Sequence, residues 1–131
     1  MKIAVDFDGT IVEHKYPKIG KERPFAIETL KSLADEGIKL ILWTAREGEL
    51  LEEAVEYCKQ RGLEFYAVNS STPEEDLFHN RDRTSKVLAD VYIDDRNLGG
   101  IPDWGEIYEM VMGMRKPVRK KRPWWKKLFR R

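Results

Sequence analysis

Residues 2–10, KIAVDFDGT, pass without a break from an apolar run, Ile3-Ala4-Val5, to two aspartates and a glycine, Asp6-Phe7-Asp8-Gly9. The run is continuously apolar instead of alternating, the pattern of a strand covered on both faces of a parallel sheet. Residues 39–43, 65–68 and 91–93 repeat that pattern. Between the first two runs, RPFAIETLKSLADEG (23–37) puts Phe25, Ile27, Leu30, Leu33 and Ala34 on one helical face. Pro24 suits a first turn there, and Gly37 a C-terminal stop. Between the second and third, EGELLEEAVEYCKQRG (47–62) makes a stripe of Leu51, Ala54, Val55 and Cys58, with glutamates early and Lys59 and Arg61 late, the charge order that complements a helix dipole. After the fourth run, NLGGIPDWGEIYEMV (97–111) reads as a glycine loop and a helix with Asp103 and Glu106 in capping-box spacing. Strand-helix-strand-helix-strand order predicts a Rossmann-like α/β fold, a doubly wound parallel sheet with right-handed crossovers.

In such sheets the functional crevice lies beyond the carboxyl ends of the strands. Asp6, Asp8, Gly9 and Thr10 follow the first strand, Thr44 and Arg46 the second, and Asp94, Asp95, Arg96 and Asn97 the fourth, with Lys86 ahead of it. The topology therefore gathers four carboxylates, a hydroxyl and several cations on one rim. Two carboxylates about 4 Å apart repel by roughly 4 kcal/mol at an effective dielectric near 20. A hard divalent cation with oxygen ligands removes that penalty, and magnesium, which keeps several waters, fits the donor set. A single Asp after a strand is an ordinary cap or turn former; two at i, i+2 with a second pair after another buried strand is not.

DFDGT followed by WTAR, an isolated lysine and YIDDRN resembles the haloacid dehalogenase (HAD) superfamily of aspartate-nucleophile phosphotransferases. The order of motifs matches over residues 1–113, most like small capless bacterial members in which YIDDRN, a glycine pair and PDWGEIYEM recur. The resemblance implies an HAD-like fold without a cap domain and a magnesium-dependent phosphatase acting through an aspartyl-phosphate. It implies Asp6 as nucleophile and Asp8 as the acid and base, with the Asp8 carbonyl on the metal. Thr44 and Lys86 would hold the phosphoryl group, Asp95 would ligate magnesium directly, and Asp94 directly or through water. Arg46 would grip a substrate phosphate bidentately, and Gly9 and Thr10 would shape the phosphate-binding turn. Phe7 is expected to pack, and His14, His79, Arg96 and Asn97 to serve as loop residues. Only a short flap, residues 11–23, follows the first motif, so the site is expected to be open or covered by a second copy in a homo-oligomer.

Two other readings remain open. A phosphoacceptor signalling module also uses clustered aspartates, magnesium, a threonine and a lysine, without an acid two residues past the nucleophile. TAR and IDDR also resemble phosphatases that trim nucleic-acid 3′ ends.

Composition narrows the class. The 131 residues are 41% hydrophobic and 36% charged, one globular domain's worth, with no apolar stretch near the roughly 20 residues a bilayer span needs. No signal-peptide pattern opens the chain, and the one cysteine, Cys58, lies among apolar helix positions, so a cytoplasmic protein without disulfides is expected. Charge divides the chain: residues 115–131 hold ten Lys or Arg and no acid, leaving 14 basic against 23 acidic residues in the catalytic domain, 1–114. In the tail, Trp124, Trp125, Leu128 and Phe129 fall on one helical face and Lys126, Lys127, Arg130 and Arg131 on the other. That segregation favours an anionic membrane surface over nucleic acid, the alternative being a tail lying on the acidic body.

Overall fold

The computed structural model describes residues 1–73 and 87–120. Lys86, His79 and the tail residues Trp124, Trp125, Leu128 and Phe129 lie outside the described residues. The elements are β1 (Lys2–Val5), α1 (Ala26–Asp35), β2 (Lys39–Leu42), α2 (Gly48–Gln60), β3 (Ala67–Val68), β4 (Val91–Ile93) and α3 (Trp104–Lys120). The strands form one parallel sheet in the order β3-β2-β1-β4. The chain steps outward from β1 through β2 to β3, then returns to the other side of β1 as β4. The order therefore reverses between β1 and β4, and the loops that leave these two strands diverge there to open a crevice.

Alternate residues of the strands serve two cores. Ile3, Val5, Leu40, Leu42 and Ile93 pack with Ile27, Leu30, Leu33, Ala54, Cys58, Trp104, Ile107 and Val111 of the helices. On the opposite face Ala4, Ile41 and Ala67 pack with Val87, flanked by Trp43, Tyr66 and Tyr92. Both faces are thus dry, which explains why the strands read as unbroken apolar runs. Cys58 is fully buried, and burial pushes its thiol up to about 12, so it is a core residue.

Local chemistry accounts for the element ends. Gly37 and Gly62 close α1 and α2 at φ 91° and 87°, a region costly for any side chain. The side chain of Asp103 accepts the Glu106 N–H at 3.0 Å, capping α3 as the spacing predicts. One expectation is corrected. Pro24 lies in the turn before α1 and not in its first helical turn; the helix begins at Ala26 behind Phe25, which sits at φ 64°, and the Glu22 carboxylate accepts the Ile27 N–H at 3.1 Å in place of a local cap. α3 runs to Lys120, past Met114, after which the chain turns basic. Among the described residues no helix is long and apolar enough to cross a membrane.

Candidate active site at the β1–β4 crevice

Asp6 leaves the end of β1, and Asp94 and Asp95 leave the end of β4; the two strands are paired in parallel, Val5 opposite Ile93. The Asp6 N–H donates to Ile93 O at 3.0 Å, carrying the pairing one residue past the strand. Each of the three aspartates offers an oxygen within 4.8 Å of the others. Burial above all pushes the Asp6 carboxyl up to about 7; the Phe7 backbone N–H offsets part of this, and the carboxylates of Asp94, Asp95 and Asp8 add to it. Asp95 is raised as well, by burial first and then by Asp94 beside it. Its Oδ1 is buried with no hydrogen-bond partner among the described residues. A buried carboxylate oxygen without a donor is costly. Three hard oxygens within 4.8 Å of one another, with an orphaned oxygen on Asp95, suit a divalent cation such as magnesium or calcium, and the donor set alone does not choose between them.

Asp8 is in a different setting. Its side chain meets Arg46, with Nε to Oδ2 at 2.8 Å and Nη2 to Oδ1 at 2.7 Å. Arg46 is fully buried, and Asp8 is 11% exposed. The other guanidinium hydrogens go to Lys18 O at 3.1 Å, Pro17 O at 3.3 Å and Leu50 O at 3.3 Å. The guanidinium carbon lies 5.2 Å from the ring centres of both Phe7 and Tyr16. All five donors of the fork therefore have acceptors. Arg46, expected to grip a substrate phosphate, is instead engaged with Asp8 and the flap; the loop after β2 carries it inward under the flap, where its charge needs a permanent partner.

Gly9 and Thr10 shape the turn and meet the Asp95 loop. A Cβ on Gly9 would lie 2.3 Å from Asp95 Oδ2, and its φ is 86°. Its lack of a side chain lets the two loops touch. Thr10 is fully buried; its hydroxyl accepts the Asp95 N–H at 3.1 Å and its carbonyl the Trp104 indole N–H at 3.2 Å. Both residues hold the Asp95 loop in place. Phe7 is buried and packs edge-on against Tyr57, as expected.

Thr44 does reach the crevice. Its hydroxyl accepts the Arg46 N–H at 3.2 Å, which leaves its own hydrogen to donate elsewhere, and its backbone N–H donates to Asn69 Oδ1 at 2.8 Å. Thr44 lines a pocket of about 590 Å³ with Asp6, Asp8, Asp94, Trp43 and Tyr16; His14, Arg96 and Arg46 also border it. The rim thus brings together Asp6, Asp8, Thr44 and Asp94, with Asp95 beneath.

A solved structure of a conserved protein from Bacteroides thetaiotaomicron matches the chain with 58% identity and a TM-score of 0.79, covering 94% of this chain and 98% of that one. The chain belongs to that protein's family. No protein-family model and no curated protein matches the chain.

Two residues of this family member escape a reading by sequence. Asn69, at φ 52°, anchors the Thr44 loop, and Trp104 anchors Thr10. An Asn directly after a strand is a weak signal for such a turn; a tryptophan at a helix start carries none.

Proposed function

We propose that the chain is a magnesium-dependent phosphohydrolase of the HAD type, without a cap domain, working through an aspartyl-phosphate on Asp6. The observation that carries this reading is the separation of two carboxylates two residues apart. Asp6 sits in a cation-shaped oxygen cluster, while Asp8 stands at the same pocket paired to an arginine. A phosphoacceptor module has no use for the second carboxylate; a hydrolase needs it as the acid and base of two successive displacements.

Asp6, Asp94 and Asp95 would hold the cation, joined by the Asp8 carbonyl. Magnesium, when bound, offsets the charge of the triad and polarises a phosphoryl oxygen. An Asp6 oxygen attacks phosphorus, and the bond from phosphorus to the ester oxygen breaks. Asp8 gives that oxygen its proton. It then takes a proton from the water that attacks the aspartyl-phosphate, which releases phosphate and restores Asp6. The Arg46 fork occupies one lone-pair direction on each Asp8 oxygen, so the second direction is free to carry the proton. Thr44 donates its hydroxyl hydrogen to the phosphoryl group. Lys86, outside the described residues, keeps the neutralising role that the sequence resemblance implies.

Hydrolysis of an aryl phosphate tests the reading. Turnover should require magnesium and vanish in Asp6→Asn; full activity in that variant excludes the mechanism.

A further inference from the structure

Arg46 touches three separate parts of the chain. Its guanidinium joins Asp8 in the β1 loop, the flap carbonyls of Pro17 and Lys18, the Leu50 carbonyl in the first turn of α2, and the ring faces of Phe7 and Tyr16. The bidentate fork fixes the plane of the Asp8 carboxylate as well as its position. The flap bonds are made by the same rigid, planar group. If the flap lifts, Nη1 and Nη2 lose acceptors inside a buried site; if Asp8 turns, the same cation loses its counter-charge. Neither change leaves the other untouched. Backbone bonds also hold the flap, among them Glu13 N–H to Lys21 O at 2.8 Å and Arg23 N–H to Ile11 O at 2.9 Å, but these close it on itself and on its own base. Tyr16, half-exposed on the flap, covers Arg46 on the pocket side.

We propose that Arg46 is a positioning residue that couples the flap to Asp8, so that seating of the flap and orientation of the Asp8 carboxylate are one event. This rests on the phosphohydrolase reading for its effect on turnover, but the coupling itself stands on the geometry alone. A coupler acts on the chemical step, whereas a phosphate clamp acts on affinity.

The test compares the full chain with Arg46→Ala and Arg46→Lys, measuring aryl phosphate turnover and backbone hydrogen exchange over residues 13–22. Lysine keeps the charge and loses the fork, so both variants should share the defect. The expected result is a fall in kcat of about 100-fold, the scale of an ångström-level misplacement, with KM within about threefold and faster flap exchange. Millimolar guanidinium ion should restore turnover and flap protection together in Arg46→Ala. Magnesium binding, titrated directly, should change by less than about threefold, because Arg46 contacts none of the three cluster carboxylates and holds the side chain of Asp8, not its carbonyl, and this also certifies the fold. Should Arg46→Ala fail to fold, Arg46→Lys carries both readouts. A raised KM at unchanged kcat would make Arg46 a substrate clamp and overturn the coupling. So would a fall in kcat with flap exchange as in the wild type, or turnover and exchange both unchanged. Absence of phosphatase activity in the wild type overturns the functional reading, and flap exchange in the variants still decides the coupling.

Discussion

Asp6 and Asp8 leave the same strand two residues apart, yet their surroundings are opposites. Asp6 faces Asp94 and Asp95, and burial and like charges push its carboxyl to about 7. Asp8 faces a buried arginine whose every donor is used. Arg46 gives Asp8 a permanent counter-charge, whereas the carboxylates around Asp6 add to its own charge. What distinguishes the two carboxylates is thus which loop meets each: the β4 loop brings acids, and the β2 loop brings Arg46.

Neutralising the two aspartates should therefore have opposite effects on the metal-free protein. Asp8→Asn strands the buried Arg46 charge and should cost about 3 kcal/mol, the scale for removing one partner of a buried pair, lowering Tm by on the order of 10 °C. Asp6→Asn removes a repelling charge and should raise Tm by several degrees. Thermal melts in chelator check both; equal effects of one sign would dissolve the contrast.

The pH dependence sharpens it. The Asp6 carboxyl is raised from its ordinary 3.8 to about 7, so the folded chain binds this proton more tightly than the unfolded one. The stability it contributes is fully present below pH 3.8 and is lost as pH rises through about 7. Metal-free melts should fall across that window, and the Asp6→Asn variant should lose that part of the slope. Magnesium should raise Tm more at pH 8 than at pH 5, because proton and metal compete for the same oxygens. A metal effect independent of pH would remove Asp6 from the ligand set.

The smallest expected effect lies in the residues that support the cluster. Thr10→Val deletes the acceptor of the Asp95 N–H while keeping the shape, and should cost about 1–2 kcal/mol. Magnesium affinity should fall about tenfold, as for other residues that orient a ligand. Isothermal titration would read the second effect, and unchanged affinity would mean that Asp95 needs no such support.

Much of the architecture is legible in the chain. Unbroken apolar runs locate the four strands to within a residue or two, and the aspartates that follow β1 and β4 mark the crevice. Both readings depend on local pattern and on one topological rule. The fate of Arg46 is not legible, because its partner is 38 positions away in sequence and is chosen by how two loops fold over each other. Gly9 and Thr10 belong to the loop that the motif indicates, but their contacts with Asp95 are not legible there. A hydroxyl after a glycine looks the same in sequence whether it meets a phosphate or a neighbouring backbone N–H. Pro24 illustrates the same limit at a helix start, where the Glu22–Ile27 bond and the left-handed Phe25 move the boundary.

The division of labour between the two aspartates is tested most directly by acid-quenching the protein during turnover of an aryl phosphate with magnesium and locating the phosphoryl group by peptide mass spectrometry. A phosphoryl adduct on Asp6 is predicted, accumulating in Asp8→Asn, where no base activates the water, and absent from Asp6→Asn. An adduct on Asp8, or turnover by Asp6→Asn without any adduct, would contradict the account.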